Sequence, residues 1–181
     1  TVHKEIAVKV NIKSREVRIA GACKGAGMIC PNMATMLAFF TTDAVIDKKA
    51  LKEAFKESVF DSFNKITVDG DMSTNDSAMI FANGMAKNKI IKSDTNEYKT
   101  FLEAVKFTAR ELSRKIVLDG EGATRFIEII VKGAKTKDAA ELAGRRIANS
   151  SLVKTMIAGG DPNWGRIAAS VGSSGADINP W

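Results

Sequence analysis

The chain has 181 residues and a hydrophobic content of 45%, enough for one domain with a sizeable buried core. No apolar run approaches the length of a membrane span, and residues 1–4 do not have the character of a signal peptide. The single histidine, His3, argues against a mechanism that uses imidazole as the base.

The charged residues and the two cysteines exclude further classes of site. The formal net charge is +6, but basic residues are interleaved with acidic ones, as in residues 48–53, and few aromatic side chains lie beside them. This pattern favours solvated helix faces over a nucleic-acid surface, although a modest positive field would attract anionic metabolites. Cys23 and Cys30 have too few Cys or His partners nearby for a zinc site, so we expect reduced thiols and no bound metal.

The first half of the chain predicts a hairpin, a helix and a short strand. Apolar and polar residues alternate over residues 5–20 around a turn at 13–15, and residues 36–41 form either a buried strand or the start of a helix. Asp47 is a plausible N-cap for a helix over about 48–64. Its predicted buried stripe is Leu51, Phe55, Val59 and Phe63. Residues 66–68 are predicted as a strand, and an apolar run follows at 78–82.

The second half predicts mostly helices. A helix over about 97–117 would bury Phe101, Val105, Leu112 and Ile116. Residues 126–131 are predicted as a strand, followed by a helix over 137–149, a further segment from 151 and another helix from about 164. Strands and helices do not alternate as regularly here as in a doubly wound sheet. Their order therefore predicts an α/β fold with mixed or antiparallel sheets covered by helices.

The most informative segment is the glycine-rich run from Lys24 to Leu37, which includes Pro31-Asn32 and ends in Ala34-Thr35-Met36-Leu37. Its glycines and Pro-Asn pair are compatible with an ordinary turn. A phosphate loop is disfavoured because Lys24 precedes the glycines and no Gly-Lys-Ser/Thr follows. The alternative is a functional threonine. If Thr35 became a new N-terminus, its hydroxyl would be a nucleophile and its α-amine a base.

Five segments in order resemble one family. They are KGAGMICPNMATML at 24–37, TTDA at 41–44, STND at 73–76, DGEGAT at 119–124 and GDPNWGR at 160–166. Together they are similar to the self-cleaving glutamate/ornithine N-acetyltransferases of arginine biosynthesis. Five such segments across nearly the whole chain are far more specific than any one of them.

The resemblance implies that the precursor cuts itself between Ala34 and Thr35. Residues 1–34 would then end an α chain, and residues 35–181 would form the first and central parts of a β chain. Thr35 would be the nucleophile of a ping-pong transfer that takes acetyl from N2-acetylornithine and gives it to glutamate. Lys24 matches a substrate-binding lysine and Glu121 an acidic substrate contact. No metal or cofactor is implied, and acetyl-CoA is a further donor in some members.

The resemblance also implies a layered α/β/β/α architecture and an α2β2 heterotetramer of cleaved protomers. The location would be cytoplasmic, or the mitochondrial matrix in a fungus. The family's oxyanion-hole Thr-Gly pair and its C-terminal substrate contacts have no counterpart in these 181 residues. We therefore expect the 181 residues alone to be close to inactive.

Two other functions stay open at this point. The first is a self-processing aminopeptidase with an N-terminal nucleophile, which would hydrolyse rather than transfer. The second is a basic, non-enzymatic binding module, which would give the Ala34–Thr35 bond no significance.

Overall fold

A computed structural model describes residues 2–30, 36–73 and 75–177. The chain divides into two compact units, Thr1–Glu121 and Gly122–Trp181. This boundary separates two compact units in space and does not test the predicted cleavage of the peptide bond between residues 34 and 35, which stays a prediction. In chain order the first unit contains β1 Glu5–Ile12, β2 Arg15–Lys24, β3 Leu37–Thr42, α1 Lys48–Phe60, a 3-10 turn Phe63–Lys65, β4 Ser77–Ala82 and α2 Asn96–Leu118.

The four strands form one mixed sheet in the order β1-β2-β3-β4. The first three are antiparallel neighbours, and β4 lies parallel to β3. The predicted hairpin is confirmed, with Lys13 at a φ of 55° in its tight turn. Residues 37–42 are a strand rather than a helix, and their alternate residues Ala38, Phe40 and Thr42 are buried. Their period of two matches a strand with one covered face.

Helices α1 and α2 belong to the core on one face of this sheet. Phe40 lies at its centre, with the rings of Phe55 and Phe63 at 5.2 and 6.3 Å in edge-on geometry. The predicted inward stripe of the long helix is confirmed, because all four of its members are fully buried: Phe101, Val105, Leu112 and Ile116. Burial of such side chains stabilises each by about 1.5–3 kcal/mol relative to exposure.

Helix starts follow local side-chain chemistry. The Asp47 carboxylate accepts hydrogen bonds from the N–H groups of Lys49 and Ala50 at 2.9 and 3.2 Å, which confirms the predicted N-cap of α1. In α2 the Thr95 hydroxyl accepts from Tyr98 N–H at 3.1 Å. The end of α1 was misjudged, because the α-helix stops at Phe60 and only the 3-10 turn follows.

Two predicted strands are wrong. Residues 66–68 pair with the glycine-rich run instead of a strand, since Val68 N–H donates to Ile29 C=O at 2.8 Å. In the second unit, residues 126–131 take no regular secondary structure. An alternating pattern specifies a face, but a strand also needs a neighbour for its backbone groups. The two predicted helices of this unit are confirmed as α3 Lys137–Ala148 and α5 Trp164–Gly172, and the segment from 151 forms a third helix, α4 Ser151–Gly159.

The predicted class, a mixed α/β fold with a mixed sheet, is confirmed. Of the predicted α/β/β/α layers, the described part of the first unit contains one sheet and the helices on one of its faces. The opposite face exposes Phe39, Met79 and Phe81. Among the described residues, none of the helices combines the length and apolar content that crossing a bilayer requires.

The fit of α2 against the sheet depends on Gly21. A Cβ at this position would lie 2.7 Å from Leu112 Cδ1, and Leu112 is fully buried. We expect Gly21→Ala to lower the free energy of unfolding by about 1–3 kcal/mol through overpacking. Ala22→Ser is the matched control, because its side chain is exposed on the other face. Chemical denaturation of both variants measures the effect, and equal stabilities would contradict this packing.

Candidate active site

Three strand termini meet at one end of the sheet. Lys24, the last residue of β2, is in register with Leu37, the first of β3, and Leu37 is in register with Ser77, the first of β4. The residues next to these termini, Met36 and Asp76, therefore lie at the same end. The antiparallel and parallel pairings bring together segments that are far apart in the sequence.

Asp76 holds the backbone at the start of β3. Its Oδ1 accepts a hydrogen bond from Met36 N–H at 2.6 Å, while Ser77 N–H donates to Met36 C=O at 3.1 Å. Burial raises the pKa of the Asp76 carboxyl, and the hydrogen bond from Met36 and the charge of Lys24 act in the opposite direction. The entry into β3 is thus held on both sides of Met36 by the segment that leads into β4.

The glycine-rich run is fixed by Asp69. Met28 has a φ of 55°, which is uncommon for a residue with a side chain. The Asp69 carboxylate accepts hydrogen bonds from the successive N–H groups of Met28 and Ile29. Two consecutive backbone donors around one carboxylate stabilise this conformation. The glycine-rich run is therefore an ordered bend, as the turn interpretation predicts.

Glu121 reaches the same bend. Its N–H donates to Ala26 C=O at 3.0 Å. Its carboxyl group lies against Gly27, where an added Cβ would be 2.9 Å from Glu121 Cδ and 3.0 and 3.1 Å from the two carboxyl oxygens. A side chain at position 27 would therefore displace the Glu121 carboxyl group from its present place. The structure brings Lys24 and Glu121 to the two ends of one four-residue segment.

The turn that carries Glu121 is attached to β1 by an ion pair. Lys4 has only 1% of its side chain exposed, and its ammonium group contacts the carboxylate of Asp119. Val2 N–H also donates to this carboxylate, at 3.2 Å. A buried lysine requires a partner of opposite charge. This pair therefore holds the turn after α2, which carries Glu121, beside the start of β1.

The remaining sequence predictions have different outcomes. Ala34 and Thr35 lie outside the described residues, so their predicted roles stay predictions. Both cysteines are free thiols, as expected. In the second unit, Arg166 of the 160–166 motif donates to Leu152 C=O at 3.0 Å and to the Thr155 hydroxyl at 3.2 Å, so this side chain joins α5 to α4.

Sequence reasoning missed the roles of two carboxylates, Asp69 and Asp76. Both bind backbone N–H groups about forty residues earlier in the chain, with sequence separations of 40 and 41. The signal that was present is an acidic residue directly before or after an apolar segment, which by itself predicts only local capping.

Within the described ranges, no three His, Cys, Asp or Glu side chains are grouped so as to hold a metal ion.

Cys23 is close to this site but is not suited to nucleophilic chemistry. Burial raises the pKa of its thiol to about 11, against smaller opposing effects of Lys4 and Lys115. At pH 8 we therefore expect about one thiol in a thousand to be ionised, so alkylation should be slow and should rise about tenfold per pH unit. Iodoacetamide labelling of a Cys30→Ser variant, followed by mass spectrometry, measures this rate. The unfolded chain is the control, and a fast reaction of the folded protein at pH 8 would contradict the burial.

The amino-acid sequence of this chain is similar to proteins of one known family. The model of the ArgJ family matches residues 1–181. The arginine biosynthesis bifunctional protein ArgJ of Caldanaerobacter subterraneus subsp. tengcongensis is 51% identical over 179 residues, which are 99% of this chain and 44% of that protein. The glutamate N-acetyltransferase of Methanocaldococcus jannaschii is 52% identical over 182 residues, with the same coverages of 99% and 44%. The chain thus spans less than half the length of these relatives.

A solved structure agrees in fold. The crystal structure of the arginine biosynthesis bifunctional protein argJ from Bacillus halodurans superposes with a TM-score of 0.75 and 42% sequence identity. The match covers 78% of this chain and 66% of that one. Family model, relatives and solved structure all point to the same group of proteins, and the chain belongs to the ArgJ family.

Proposed function

We propose that the polypeptide containing this chain is an N-acetyltransferase of arginine biosynthesis, which moves acetyl from N2-acetylornithine to glutamate through an acetyl-threonine at position 35. The observation that carries this proposal is the convergence of Lys24, Glu121 and Met36 at one end of the sheet. Met36 follows Thr35 in the chain, so a cation and a carboxylate lie at the end of the sheet where the described chain resumes, one residue after the proposed nucleophile. The names of the relatives support the same activity.

Self-cleavage prepares the nucleophile in this proposal. The Thr35 hydroxyl attacks the carbonyl carbon of Ala34, and the acyl group moves from the amide nitrogen to the hydroxyl oxygen. Water then hydrolyses the ester, which leaves a carboxylate on Ala34 and a free hydroxyl and α-amine on Thr35. An α-amine has an ordinary pKa of about 7.7–8.0, so it serves as a base near neutral pH.

The two half-reactions then exchange acetyl through one oxygen. The hydroxyl of Thr35 attacks the acetyl carbonyl of N2-acetylornithine, the amide bond breaks, and ornithine leaves with the proton on its amine. The amine of glutamate next attacks the acetyl ester, forming N-acetylglutamate and restoring the hydroxyl. In this scheme Lys24 binds a substrate carboxylate and Glu121 binds a substrate ammonium, both as charge-assisted contacts.

Several wider properties belong to the same proposal. The chain spans about 44% of the relatives' length, so we expect oxyanion donors and further substrate contacts from other parts of the polypeptide. We propose an α2β2 assembly of cleaved protomers, with acetyl-CoA as a second acetyl donor. The location would be cytoplasmic in a bacterial or archaeal host. One relative, from Dictyostelium discoideum, is named as mitochondrial, which supports a mitochondrial location in some eukaryotes.

The role of Thr35 is tested by substitution in the full-length polypeptide. Thr35→Ala should abolish both cleavage and acetyl transfer, because it removes the attacking hydroxyl. Thr35→Ser keeps a hydroxyl and should retain both, at a reduced rate. Intact-mass spectrometry with and without N2-acetylornithine detects the two fragments and the acetyl adduct on the fragment that begins at residue 35.

Three outcomes of this experiment count against the proposal. An uncleaved, unmodified wild-type chain that still exchanged acetyl groups would exclude the acetyl-threonine. A completely inactive Thr35→Ser variant would argue against hydroxyl attack. Release of free acetate or of an amino acid from a peptide, without transfer to glutamate, would favour the self-processing aminopeptidase instead.

The contact between Gly27 and Glu121 gives a separate prediction about substrate binding. Gly27→Ala should displace the Glu121 carboxyl group, because the new Cβ would occupy its position. We expect KM for N2-acetylornithine to rise about tenfold or more, as for loss of one charge-assisted contact of about 1.5–3 kcal/mol. Glu121→Gln should raise KM in the same way, and the double variant should add little. Steady-state kinetics measures all three, and additive effects of the two substitutions would contradict the shared cause.

A further inference from the structure

Lys4 and Asp119 form an ion pair that the proposed reaction has not used. Only 1% of the Lys4 side chain and 16% of the Asp119 side chain are exposed, and the ammonium group contacts the carboxylate directly. The two residues are 115 positions apart in the sequence. Because withdrawing two charges from water is costly, a pair of this kind is weak evidence for a gain in stability. Its place beside the candidate site indicates a different use.

The pair holds the residue two positions before Glu121. Asp119 caps the C-terminus of α2, and its N–H donates to Ile116 C=O at 3.2 Å. Gly120 N–H then donates to Val117 C=O at 3.1 Å, so the backbone here is a closed turn. Consecutive Cα atoms lie about 3.8 Å apart, which keeps the Cα atoms of Asp119 and Glu121 within about 7.6 Å of each other.

Both sides of this turn are attached to the first two strands. Lys4 is itself fixed beside the end of β2, because Cys23 N–H donates to its C=O at 2.9 Å. On the other side, Glu121 N–H donates to Ala26 C=O at 3.0 Å, and the Glu121 carboxyl group lies against Gly27. The position of that carboxyl group therefore depends on the ion pair as well as on the glycine-rich bend.

We propose that Lys4 is a positioning residue for substrate binding: its ion pair with Asp119 holds the turn from which the Glu121 carboxylate contacts the substrate ammonium group. This inference rests on the proposed function, which assigns that contact to Glu121. Lys4 itself does not touch the substrate, and it acts only through the turn.

The same ion pair crosses the proposed cleavage. Lys4 precedes position 34 and Asp119 follows it, so the two charges would belong to different fragments of the cleaved polypeptide. The two proposed substrate contacts are divided in the same way, with Lys24 on the first fragment and Glu121 on the second. Cleavage would thus leave the placement of one relative to the other to noncovalent contacts. The Lys4 pair and the bond from Glu121 to Ala26 are two such contacts next to the site.

The test uses the full-length, cleaved enzyme with Lys4→Met, which removes the charge and keeps an unbranched side chain. We expect KM for N2-acetylornithine to rise about tenfold with kcat unchanged, because the turn loses an attachment that serves binding. A role limited to stability would lower the amount of folded enzyme and leave KM as it is. In a Glu121→Gln background Lys4→Met should add little, because both substitutions act through the same carboxyl group.

Lys115→Met is the matched control. Lys115 Nζ donates to Glu5 C=O at 2.6 Å, so it also joins α2 to β1, but it lies on the helix before the turn. We expect this variant to keep the wild-type KM. Lys4→Met alone leaves Asp119 without its cation, which is strongly destabilising. If that variant does not fold, Lys4→Met/Asp119→Asn removes both charges and should show the same rise in KM.

Hydrogen exchange followed by mass spectrometry measures the turn without any substrate. The bond to Ala26 C=O protects Glu121 N–H in the wild-type enzyme. Lys4→Met should speed exchange over residues 119–122 by about tenfold, while exchange within α1 provides the internal reference.

Several outcomes would overturn this role. They are a wild-type KM in a folded enzyme that lacks the pair, unchanged exchange over residues 119–122, an equal rise in KM in Lys115→Met, and full additivity with Glu121→Gln. A different result identifies failure of the proposed function. If Glu121→Gln alone leaves KM unchanged, the proposed substrate contact is wrong, and with it the role of Lys4 in binding, whereas the exchange measurement still decides whether Lys4 holds the turn.

Discussion

The register between β2, β3 and β4 is the constraint on which the candidate site depends. β2 ends where the antiparallel β3 begins, and the parallel β4 begins beside β3. This arrangement places Lys24, Met36 and Asp76 at one end of the sheet, although they come from three separate segments. A slip of one residue would turn the buried side chains of β3 toward solvent, so the core and the site are specified by the same register.

Carboxylates join the loops at this end to the sheet and to each other. Asp76 holds the start of β3, Asp69 holds the bend that follows β2, and Asp119 pairs with Lys4 beneath the turn that carries Glu121. Each accepts hydrogen bonds from backbone N–H groups or from an ammonium group. Such charge-assisted contacts are stronger than neutral ones, and they hold loops whose glycines would otherwise leave them many conformations.

Three of the five segments that carry the family resemblance, those at 24–37, 73–76 and 119–124, contribute residues to this end of the sheet. Gly27 of the glycine-rich run lies against the Glu121 carboxyl group. Asp76, the last residue of the Ser-Thr-Asn-Asp segment, directly precedes β4, which pairs with β3. The half-buried Cys23 thiol nearby stays protonated at neutral pH, because its partial burial raises its pKa to about 11, and so it does not compete as a nucleophile. Segments that look unrelated along the chain therefore act together at one place.

The sequence by itself determined the elements that depend on local chemistry. The hairpin, the N-cap at Asp47, the buried stripe of α2 and the later helices α3 and α5 all follow from periodicity and capping within a few residues. The same reasoning failed at residues 66–68 and 126–131, because whether an extended segment becomes a strand depends on a neighbour that its own residues do not specify. The motifs named Lys24 and Glu121, but only the tertiary structure decided that Gly27 contacts Glu121 and that Asp76 binds Met36. The reason is physical: sheet pairing joins residues that are distant in sequence, and a local pattern contains no information about that partner.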